Sequence, residues 1–264
     1  MEQIFLYFET YGCTANKNNT EIMKGLCMQS GLQLTNNLDI ADLIVINTCI
    51  VKEPTEKKIE RRISDLQKKY PKKSVIIAGC MPEVKKFKEK NIYLLGIHHV
   101  KDIVKLIRRI YEKNYHEEEF LSGRKEEKLL TGKIPEIKTI GITQISEGCL
   151  GNCSFCITKI AKGKLFSYPQ ENIIKNIQND LSSGAKEIWL TSQDNASYGL
   201  DNNQRLLPGL LNKILTLPGK FIVRLGMMNP ENVLPILQDL IEIYKHKKMK
   251  KFFHLPLQSA SNKI

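Results

Sequence analysis

The feature that most constrains the fold of this chain is a set of three apolar, strand-like segments that each lead into a cysteine. The segments and their cysteines are 4–8 with Cys13, 43–46 with Cys49, and 74–78 with Cys80. Helical patterns lie between them, and strands that alternate with helices predict a parallel sheet with helices on its faces. Because the carboxyl ends of parallel strands meet at one edge of a sheet, the three thiols should converge there. Such a set predicts a metal cluster with one open iron, and the alternative is three small residues buried at strand ends.

A charged segment separates two predicted domains. Residues 112–138 lack a sustained apolar face. We therefore predict an N-terminal open parallel α/β sheet domain over 1–113, a linker over 114–138 and a second domain over 139–264. In the first domain, a short strand at 93–95 and a closing helix over 100–111 complete the pattern.

Three further cysteines lie close together in the second domain, directly after a strand-like run. The segment Gly148-Cys149-Leu150-Gly151-Asn152-Cys153-Ser154-Phe155-Cys156 has the spacing Cys-x3-Cys-x2-Cys. Structural zinc normally takes four ligands in two pairs, and no second pair follows. A disulfide framework conflicts with the odd number and the crowding of these cysteines. Three thiolates from one loop can instead hold three irons of a cubane cluster and leave the fourth iron open to a small molecule, so the loop predicts a redox cluster.

The rest of the second domain has the pattern of repeated β/α units. Strand-like runs lie at 139–145, 187–191, 221–225 and 251–256, with helical patterns between them. Barrel enzymes place their chemistry after the strands, where polar residues collect in this chain. Since four strands are too few to close a barrel, we predict a partial (β/α) barrel. The chain is then either a truncated or split product, or a second chain completes it.

Composition restricts the compartment and the partners. No signal peptide is evident at the N-terminus, and no apolar segment is long enough to cross a bilayer. Seven cysteines without a secretory context point to a reducing cytoplasm and to metal or redox chemistry. Of the net charge of +12, residues 121–264 carry +8, which favours a polyanionic partner such as a nucleic acid. A generally lysine-rich composition is the alternative explanation.

In combination, these motifs resemble the methylthiotransferase family of radical S-adenosylmethionine (SAM) enzymes. Thr10-Tyr11-Gly12-Cys13, Asn47-Thr48-Cys49 and Gly79-Cys80-Met81 look like the three blocks of that family's N-terminal domain. The segment Leu150-Gly151-Asn152 is similar to the archaeal and eukaryotic branch, which modifies threonylcarbamoyladenosine next to the tRNA anticodon. The resemblance covers essentially the whole chain. Family members continue with more barrel and a small C-terminal tRNA-binding domain, which we expect to be absent here.

The resemblance implies two [4Fe-4S] clusters and SAM as cofactors. One cluster would cleave SAM to a radical and is held by the loop cysteines, Cys149, Cys153 and Cys156. The other would present the sulfur and is held by the strand-end cysteines, Cys13, Cys49 and Cys80. The implied reaction converts N6-threonylcarbamoyladenosine at position 37 of tRNA to its 2-methylthio derivative.

Further residues are expected to contact SAM or substrate. Phe155 lies between the last two loop cysteines. Polar residues at the ends of barrel strands would hold the ribose or methionine part of SAM, with ordinary loop hydrogen bonding as the alternative; they are Gln193, Asp194, Asn195 and Arg224. In Lys162-Gly163-Lys164, the lysines would either contact phosphate or be solvated.

The predicted partners are tRNA, an electron donor such as ferredoxin or flavodoxin, and a second chain that completes the barrel; no membrane is expected. Two alternatives remain open. The chain would methylthiolate a ribosomal protein, as another branch of the family does, or it would be a non-catalytic iron–sulfur fragment that needs a partner chain. The Leu150-Gly151-Asn152 segment and the basic charge favour tRNA.

Overall fold

The structure is a computed structural model that describes residues 3–121, 123, 126–259 and 261. The other positions, among them Arg124 and Lys125 of the predicted linker, lie outside the described residues. The chain divides into two compact units, Met1–Glu136 with Asn152–Gly163 and Ile137–Gly151 with Lys164–Ile264. Each unit has its own parallel sheet.

The first unit is built on a five-stranded parallel sheet, which confirms the predicted N-terminal open parallel α/β domain. Its strands are β1 (Phe5–Thr10), β2 (Gln33–Leu34), β3 (Leu43–Thr48), β4 (Ser74–Gly79) and β5 (Ile92–Gly96), in the order β2-β1-β3-β4-β5. All neighbouring strands run parallel. The central strand β3 is buried along its whole length, as expected for a strand covered on both faces.

Helices cover both faces of this sheet. They are α1 (Thr14–Gln29), α2 (Glu53–Lys69), α3 (Ile103–Tyr111) and α4 (Thr158–Lys162), with 3-10 turns at Met81–Glu83, Ile97–Asp102 and Glu117–Phe120. Leu43 and Val45 of β3 pack with residues of α1 and α3 in one apolar core. Ile44 and Ile46 pack with residues of α2 in another. Because successive strand residues point to opposite faces, β3 joins the two cores.

The segment after α3 also packs onto the first unit. Phe120 is fully buried in its core and stacks on Tyr115, with 6.0 Å between the ring centroids. Tyr115 meets the ring of Tyr93 edge-on at 5.1 Å. Further along, the Ile134 amide donates a hydrogen bond to the carbonyl oxygen of Glu21 at 2.9 Å. Most of the described residues in the predicted linker therefore group with the first unit, while the predicted domain boundaries stay predictions.

The second unit contains a three-stranded parallel sheet and a short antiparallel ribbon. Its strands are β6 (Ile140–Gln144), β7 (Ser146–Glu147), β8 (Phe166–Ser167), β9 (Glu187–Thr191) and β10 (Ile222–Leu225); the sheet has the order β10-β9-β6, and β7 pairs with β8. Its helices are α5 (Gln170–Ser182), α6 (Leu207–Thr216), α7 (Pro230–Val233) and α8 (Leu237–Lys245), with 3-10 turns at Asn195–Ser197, Leu200–Asn202 and Leu234–Ile236. Among the described residues, no helix has the length and apolar character needed to cross a bilayer.

The fourth strand predicted for this unit, over 251–256, is wrong. Pairing with β10 occurs just before it, where Met249 makes an isolated parallel bridge to Val223 and the Lys250 amide donates to the Val223 carbonyl at 2.9 Å. The chain then runs irregularly through 251–257. Pro256 has no amide hydrogen to donate to a ladder, which disfavours a longer strand here. The partial barrel stays a prediction.

The packing of Phe120 gives a test of whether its segment is a loose linker. We expect Phe120→Ala to lower the free energy of unfolding of the first unit by about 3–5 kcal/mol, because it empties a buried aromatic site. The control is Phe155→Ala, which removes a ring that is 72% exposed and should change stability by less than about 0.5 kcal/mol. Denaturant unfolding followed by circular dichroism measures both. Equal effects of the two substitutions would show that the segment does not belong to the core.

Candidate functional site

The three strand-end cysteines lie at one edge of the first unit's sheet. Cys49 and Cys80 directly follow β3 and β4, which are neighbours in the sheet, and Cys13 follows β1, which is the other neighbour of β3. Cys13 has extended backbone and precedes the first residue of α1. Cys49 and Cys80 are buried, whereas Cys13 is exposed. The fold thus brings together at the carboxyl edge the three residues that the sequence predicted there.

Two glycines allow this close approach of the strand ends. Gly12 and Gly79 directly precede cysteines and have positive φ angles of 106° and 98°. A Cβ atom on Gly12 would lie 2.4 Å from Cβ and 2.9 Å from Sγ of Cys49. A Cβ atom on Gly79 would lie 2.6 Å from the carbonyl oxygen of Thr48. Only a residue without a side chain fits either position, so the Gly-Cys pairs are required by the geometry.

A buried hydrogen-bond network stabilises the same edge of the sheet. The Asn16 side-chain amide donates to the carbonyl oxygens of Tyr11 and Thr48 at 2.9 and 2.8 Å. The Asn47 amide donates to the carbonyl oxygen of Asn16 at 2.7 Å and to the Thr20 hydroxyl at 2.9 Å. These bonds tie the start of α1 to the ends of β1 and β3. The first turns of α1 accordingly bury the polar residues Asn16, Asn18 and Asn19.

The Thr48 hydroxyl extends the network to β4, where it donates to the carbonyl oxygen of Ala78 at 2.7 Å. It also accepts a hydrogen bond from the Met81 amide at 3.3 Å. The backbone around Cys49 and Cys80 is therefore held by a side chain that lies between them. The Thr20 contribution was missed by the sequence reasoning, because a threonine within a helix gives no distinct signal.

The electrostatic environment of Cys49 has opposing contributions. Burial raises the pKa of the Cys49 thiol, while the backbone amide of Val51 lowers it. The Cys13 thiolate raises the pKa of Cys49 further, and the Lys162 ammonium lowers it. Lys162 was predicted to contact phosphate or to be solvated, and the solvated alternative is wrong because this side chain is buried.

Cys27 differs from the three edge cysteines. It lies on the buried face of α1, and burial raises its pKa to about 12. A thiol in this environment stays protonated and acts as a small apolar side chain. Cys27 is therefore a core residue.

The donor set at the edge fits an iron–sulfur cluster. All seven cysteines lie among the described residues, and none forms a disulfide. Three thiols at the ends of adjacent strands, one of them exposed, provide the soft sulfur ligands that such clusters take. Within the described residues, no three His, Cys, Asp or Glu side chains already form a complete metal-ligand set.

The loop cysteines are accessible. Cys153 is exposed, and Cys149 and Cys156 are partly exposed. The Gly151 amide donates to the Cys149 sulfur at 3.3 Å, and the Cys156 amide donates to the Cys153 carbonyl at 3.0 Å. Phe155 is exposed beside them. Sulfur ligands on an accessible loop suit a cluster that must bind a small molecule.

Gln193 and Asp194 follow β9 and form hydrogen bonds within the second unit. The Gln193 side-chain oxygen accepts a hydrogen bond from the Gly148 amide at 2.7 Å, directly before Cys149. Asp194 is buried, and its carboxylate accepts hydrogen bonds from the Ala196 amide, the Asn229 amide and the Asn232 side chain at 3.1, 2.9 and 2.7 Å. Burial raises the pKa of Asp194, and these donors oppose the rise. Both side chains thus have partners in the protein, and their contact with SAM stays a prediction.

Asn195 and Arg224 have different surroundings. The Asn195 side-chain amide donates to the Met227 carbonyl at 2.8 Å, while its buried Oδ1 has no hydrogen-bond partner among the described residues. The Arg224 guanidinium lies over the rings of Trp189 and Phe252, at 4.6 and 5.2 Å from their centroids. This stacking occupies the guanidinium faces. The SAM contacts expected of both residues stay predictions.

Residues 6–96 match the model of the uncharacterized protein family UPF0004. A Methanocaldococcus jannaschii protein named probable threonylcarbamoyladenosine tRNA methylthiotransferase is 41% identical over 98% of this chain and 60% of its own length. Proteins named threonylcarbamoyladenosine tRNA methylthiotransferase from Danio rerio and Homo sapiens are 33% and 32% identical over 100% and 98% of the chain. By sequence, the chain is similar to these proteins over nearly its whole length. It matches both the archaeal and the animal members, as the resemblance implied.

The chain spans only part of the length of these relatives, 60% of the archaeal protein and 49% and 46% of the two animal proteins. Solved structures show a shared fold. The cobalamin-dependent SAM radical enzyme OxsB matches 99% of this chain and 45% of its own, with a TM-score of 0.61 and 12% identity. The radical SAM methyltransferase TsrM from Kitasatospora setae matches 99% of this chain and 60% of its own, with a TM-score of 0.63 and 11% identity.

The close contact at Gly12 gives a test of the edge site. We expect Gly12→Ala to displace Cys49 and to remove most of the iron that the N-terminal cysteines bind after anaerobic reconstitution. Gly31→Ala is the matched control, since Gly31 also has positive φ (83°) but its Cβ would enter open space. Both substitutions carry a backbone cost of about 1–2 kcal/mol. Equal iron content in the two variants would contradict the proposed fit at Cys49.

The hydrogen bonds of Asp194 give a second test. We expect Asp194→Ala to lower the free energy of unfolding of the second unit by about 3 kcal/mol or more, because it leaves three donors without their acceptor. Asp239→Ala removes an exposed carboxylate in the first turn of α8 and should cost about 0.5 kcal/mol. Denaturant unfolding compares them. A loss of SAM affinity in Asp194→Ala without a loss of stability would instead assign this carboxylate to the cofactor.

Proposed function

We propose that the chain carries the chemistry of a tRNA methylthiotransferase of the threonylcarbamoyladenosine type. The reaction converts N6-threonylcarbamoyladenosine at position 37 of tRNA to its 2-methylthio derivative. The observation that carries this proposal is the convergence of Cys13, Cys49 and Cys80 at the ends of adjacent strands, in a chain that has a second set of three cysteines. The names of its relatives support the substrate.

Each cysteine set would hold one [4Fe-4S] cluster. The edge set consists of Cys13, Cys49 and Cys80, and the loop set consists of Cys149, Cys153 and Cys156. When bound, the clusters supply the electron that cleaves SAM and the sulfur that is transferred, with ferredoxin or flavodoxin as the proposed electron donor class. We also propose that the parallel strands β6, β9 and β10 are part of a radical SAM barrel, which the fold shared with two radical SAM enzymes supports.

The residues of the chain position these groups. Gly12 lets the segment before Cys13 approach Cys49, and Thr48 joins the backbone before Cys49 to that around Cys80. The exposure of Cys13 leaves one side of the edge open to substrate. The hydrogen bond from the Gly148 amide to Gln193 fixes the backbone that leads into Cys149. Correct placement of the reacting groups is a large part of the rate enhancement that such a site provides.

Transfer RNA is the proposed macromolecular substrate. Residues 121–264 carry two thirds of the net charge of +12, and a phosphate backbone would complement this excess. A reducing cytoplasm suits both the tRNA and the thiol ligands. Completion of the barrel by a further segment or chain is part of the proposal, because three parallel strands cannot close one.

Substitutions in the two cysteine sets should block different steps of the reaction. We expect Cys153→Ala to abolish reductive cleavage of SAM, because it removes a ligand of the loop cluster. Cys49→Ala should retain cleavage but make no methylthiolated product, because it removes a ligand of the sulfur-presenting cluster. Cys27→Ala is the control, since this thiol is buried in the core, and it should retain both activities. Release of 5′-deoxyadenosine and mass spectrometry of tRNA nucleosides measure the two steps.

The same measurements separate the alternatives. Product formation by Cys49→Ala would overturn the role of the edge set. Modification of a ribosomal protein, with unchanged tRNA, would favour the other branch of the family. Cluster binding without SAM cleavage would make the chain a non-catalytic iron–sulfur fragment.

A further inference from the structure

An open depression lies at the amino edge of the first unit's sheet, at the opposite end of the strands from the edge cysteines. Its volume is about 430 Å³, and its lining includes Lys68 near the end of α2, Lys73 directly before β4 and Lys90 shortly before β5. No carboxylate among the described residues lines it. The depression between these three side chains is termed the lysine depression.

The Lys73 ammonium is fixed by the protein itself. It donates to three backbone carbonyl oxygens at 2.6, 2.8 and 2.6 Å, those of Leu38, Asp39 and Ala41. Since an ammonium group has three N–H donors, Lys73 contributes a fixed positive charge and its donors are already used. The Asp39 carboxylate adds a negative charge nearby and accepts a hydrogen bond from the Tyr70 hydroxyl at 2.6 Å. Direct contact with a ligand therefore falls to Lys68 and Lys90.

The exposed lysines of this surface lack carboxylate partners. Lys68, Lys72 and Lys90 are exposed, and among the described residues none of them forms an ion pair. Lys105 of the same unit, by contrast, pairs with Glu119 at 2.6 Å. Positive side chains that the protein does not neutralise create a local potential that attracts anions. The lysine depression is therefore a positively charged concave surface that suits a polyanion.

We propose that the lysine depression binds the phosphate backbone of tRNA, at a distance from the base that is modified. The inference rests on the proposed function, which supplies tRNA as the partner. Lysine holds phosphate as a point charge, and such contacts position a nucleic acid without reading its sequence. Ser64 and Gln67 also line the depression, and their side chains are of types that contact phosphate oxygens.

The distance between the two ends of the sheet suits this arrangement. Strand β4 has six residues, which at about 3.3 Å each separate the lysine depression from the edge cysteines by about 20 Å. A duplex advances about 3.4 Å per base pair, so a stem on the order of six base pairs covers this distance. One tRNA can therefore present a base at the carboxyl edge and phosphates at the amino edge.

The test measures tRNA binding by the full chain after anaerobic reconstitution. The probe is a transcribed tRNA with adenosine at position 37 and a fluorophore at its 5′ end, and anisotropy is recorded at several salt concentrations. We expect Lys68→Gln with Lys90→Gln to weaken binding about tenfold or more at about 0.1 M salt. The slope of log K against log salt should fall by about 1.4–1.8, because two phosphate contacts are lost. Lys68→Arg with Lys90→Arg keeps the charge and should retain the affinity.

The matched control is Lys105→Gln with Lys245→Gln. It removes the same number of positive charges, but these lysines are already paired with Glu119 and Glu242. Affinity and salt slope should therefore stay close to those of the unsubstituted protein. Circular dichroism on every variant checks that the fold is retained.

The outcomes separate the inference from the function it rests on. Unchanged affinity and slope in Lys68→Gln with Lys90→Gln overturn the inference and leave the proposed function intact. If the unsubstituted protein binds no tRNA although it cleaves SAM, both the surface and the tRNA substrate are overturned. Equal losses in the two Gln variants would assign the effect to net charge and overturn the inference. So would a Lys68→Gln, Lys90→Gln variant that keeps tRNA binding but loses binding to vesicles containing anionic lipid, since the surface would then contact a membrane.

Discussion

The parallel pairing of β3 with both β1 and β4 is the constraint on which the edge site depends. Thr10 of β1 and Ala78 of β4 both lie opposite Asn47 in this register, so the three strands end at one level. Buried apolar side chains on both faces of β3 hold the register, because a shift by one residue would exchange the two faces. The placement of the three cysteines at one edge of the sheet therefore follows from the hydrophobic core.

Polar side chains also stabilise the strand ends at this edge. The amides of Asn16 and Asn47 and the hydroxyl of Thr48 satisfy backbone groups at the point where the ladders end. Unpaired backbone groups in such a buried place would cost about 1–3 kcal/mol each. The glycines before Cys13 and Cys80 remove the side chains that would hold these segments apart. Apolar packing sets the level of the strand ends, and the polar residues and glycines set their separation.

Helix α4 is a further element of the first unit that packs near the edge cysteines. It is short and follows the loop cysteines, yet it packs into the core beside Cys80 and buries Lys162. The segment from Cys156 to Lys162 thus belongs by packing to the sheet that carries the other cysteines.

Local patterns along the sequence predicted the parallel sheet of the first unit well. Its buried strands read as continuous apolar runs, and its helices have apolar faces at regular spacing. The same patterns were less reliable where local signals compete with packing. The run over 251–256 is apolar enough for a strand, but it contains Pro256 and does not continue the pairing that ends near Met249. The segment around Phe120 is too charged to indicate a core, and yet this one ring is buried.

The sequence by itself determined the two cysteine sets, the parallel α/β class of the first unit and the resemblance to the methylthiotransferases, because these depend on residue type, spacing and periodicity. Tertiary structure alone decided which groups lie beside the cysteines. It placed Thr20 and Asn16 beneath the edge, engaged Asp194 and Arg224 with neighbouring residues, and buried Lys162 while leaving Lys164 exposed. These contacts join residues that are far apart in the chain, and no local pattern records them. They exist only once the two cores have closed around β3.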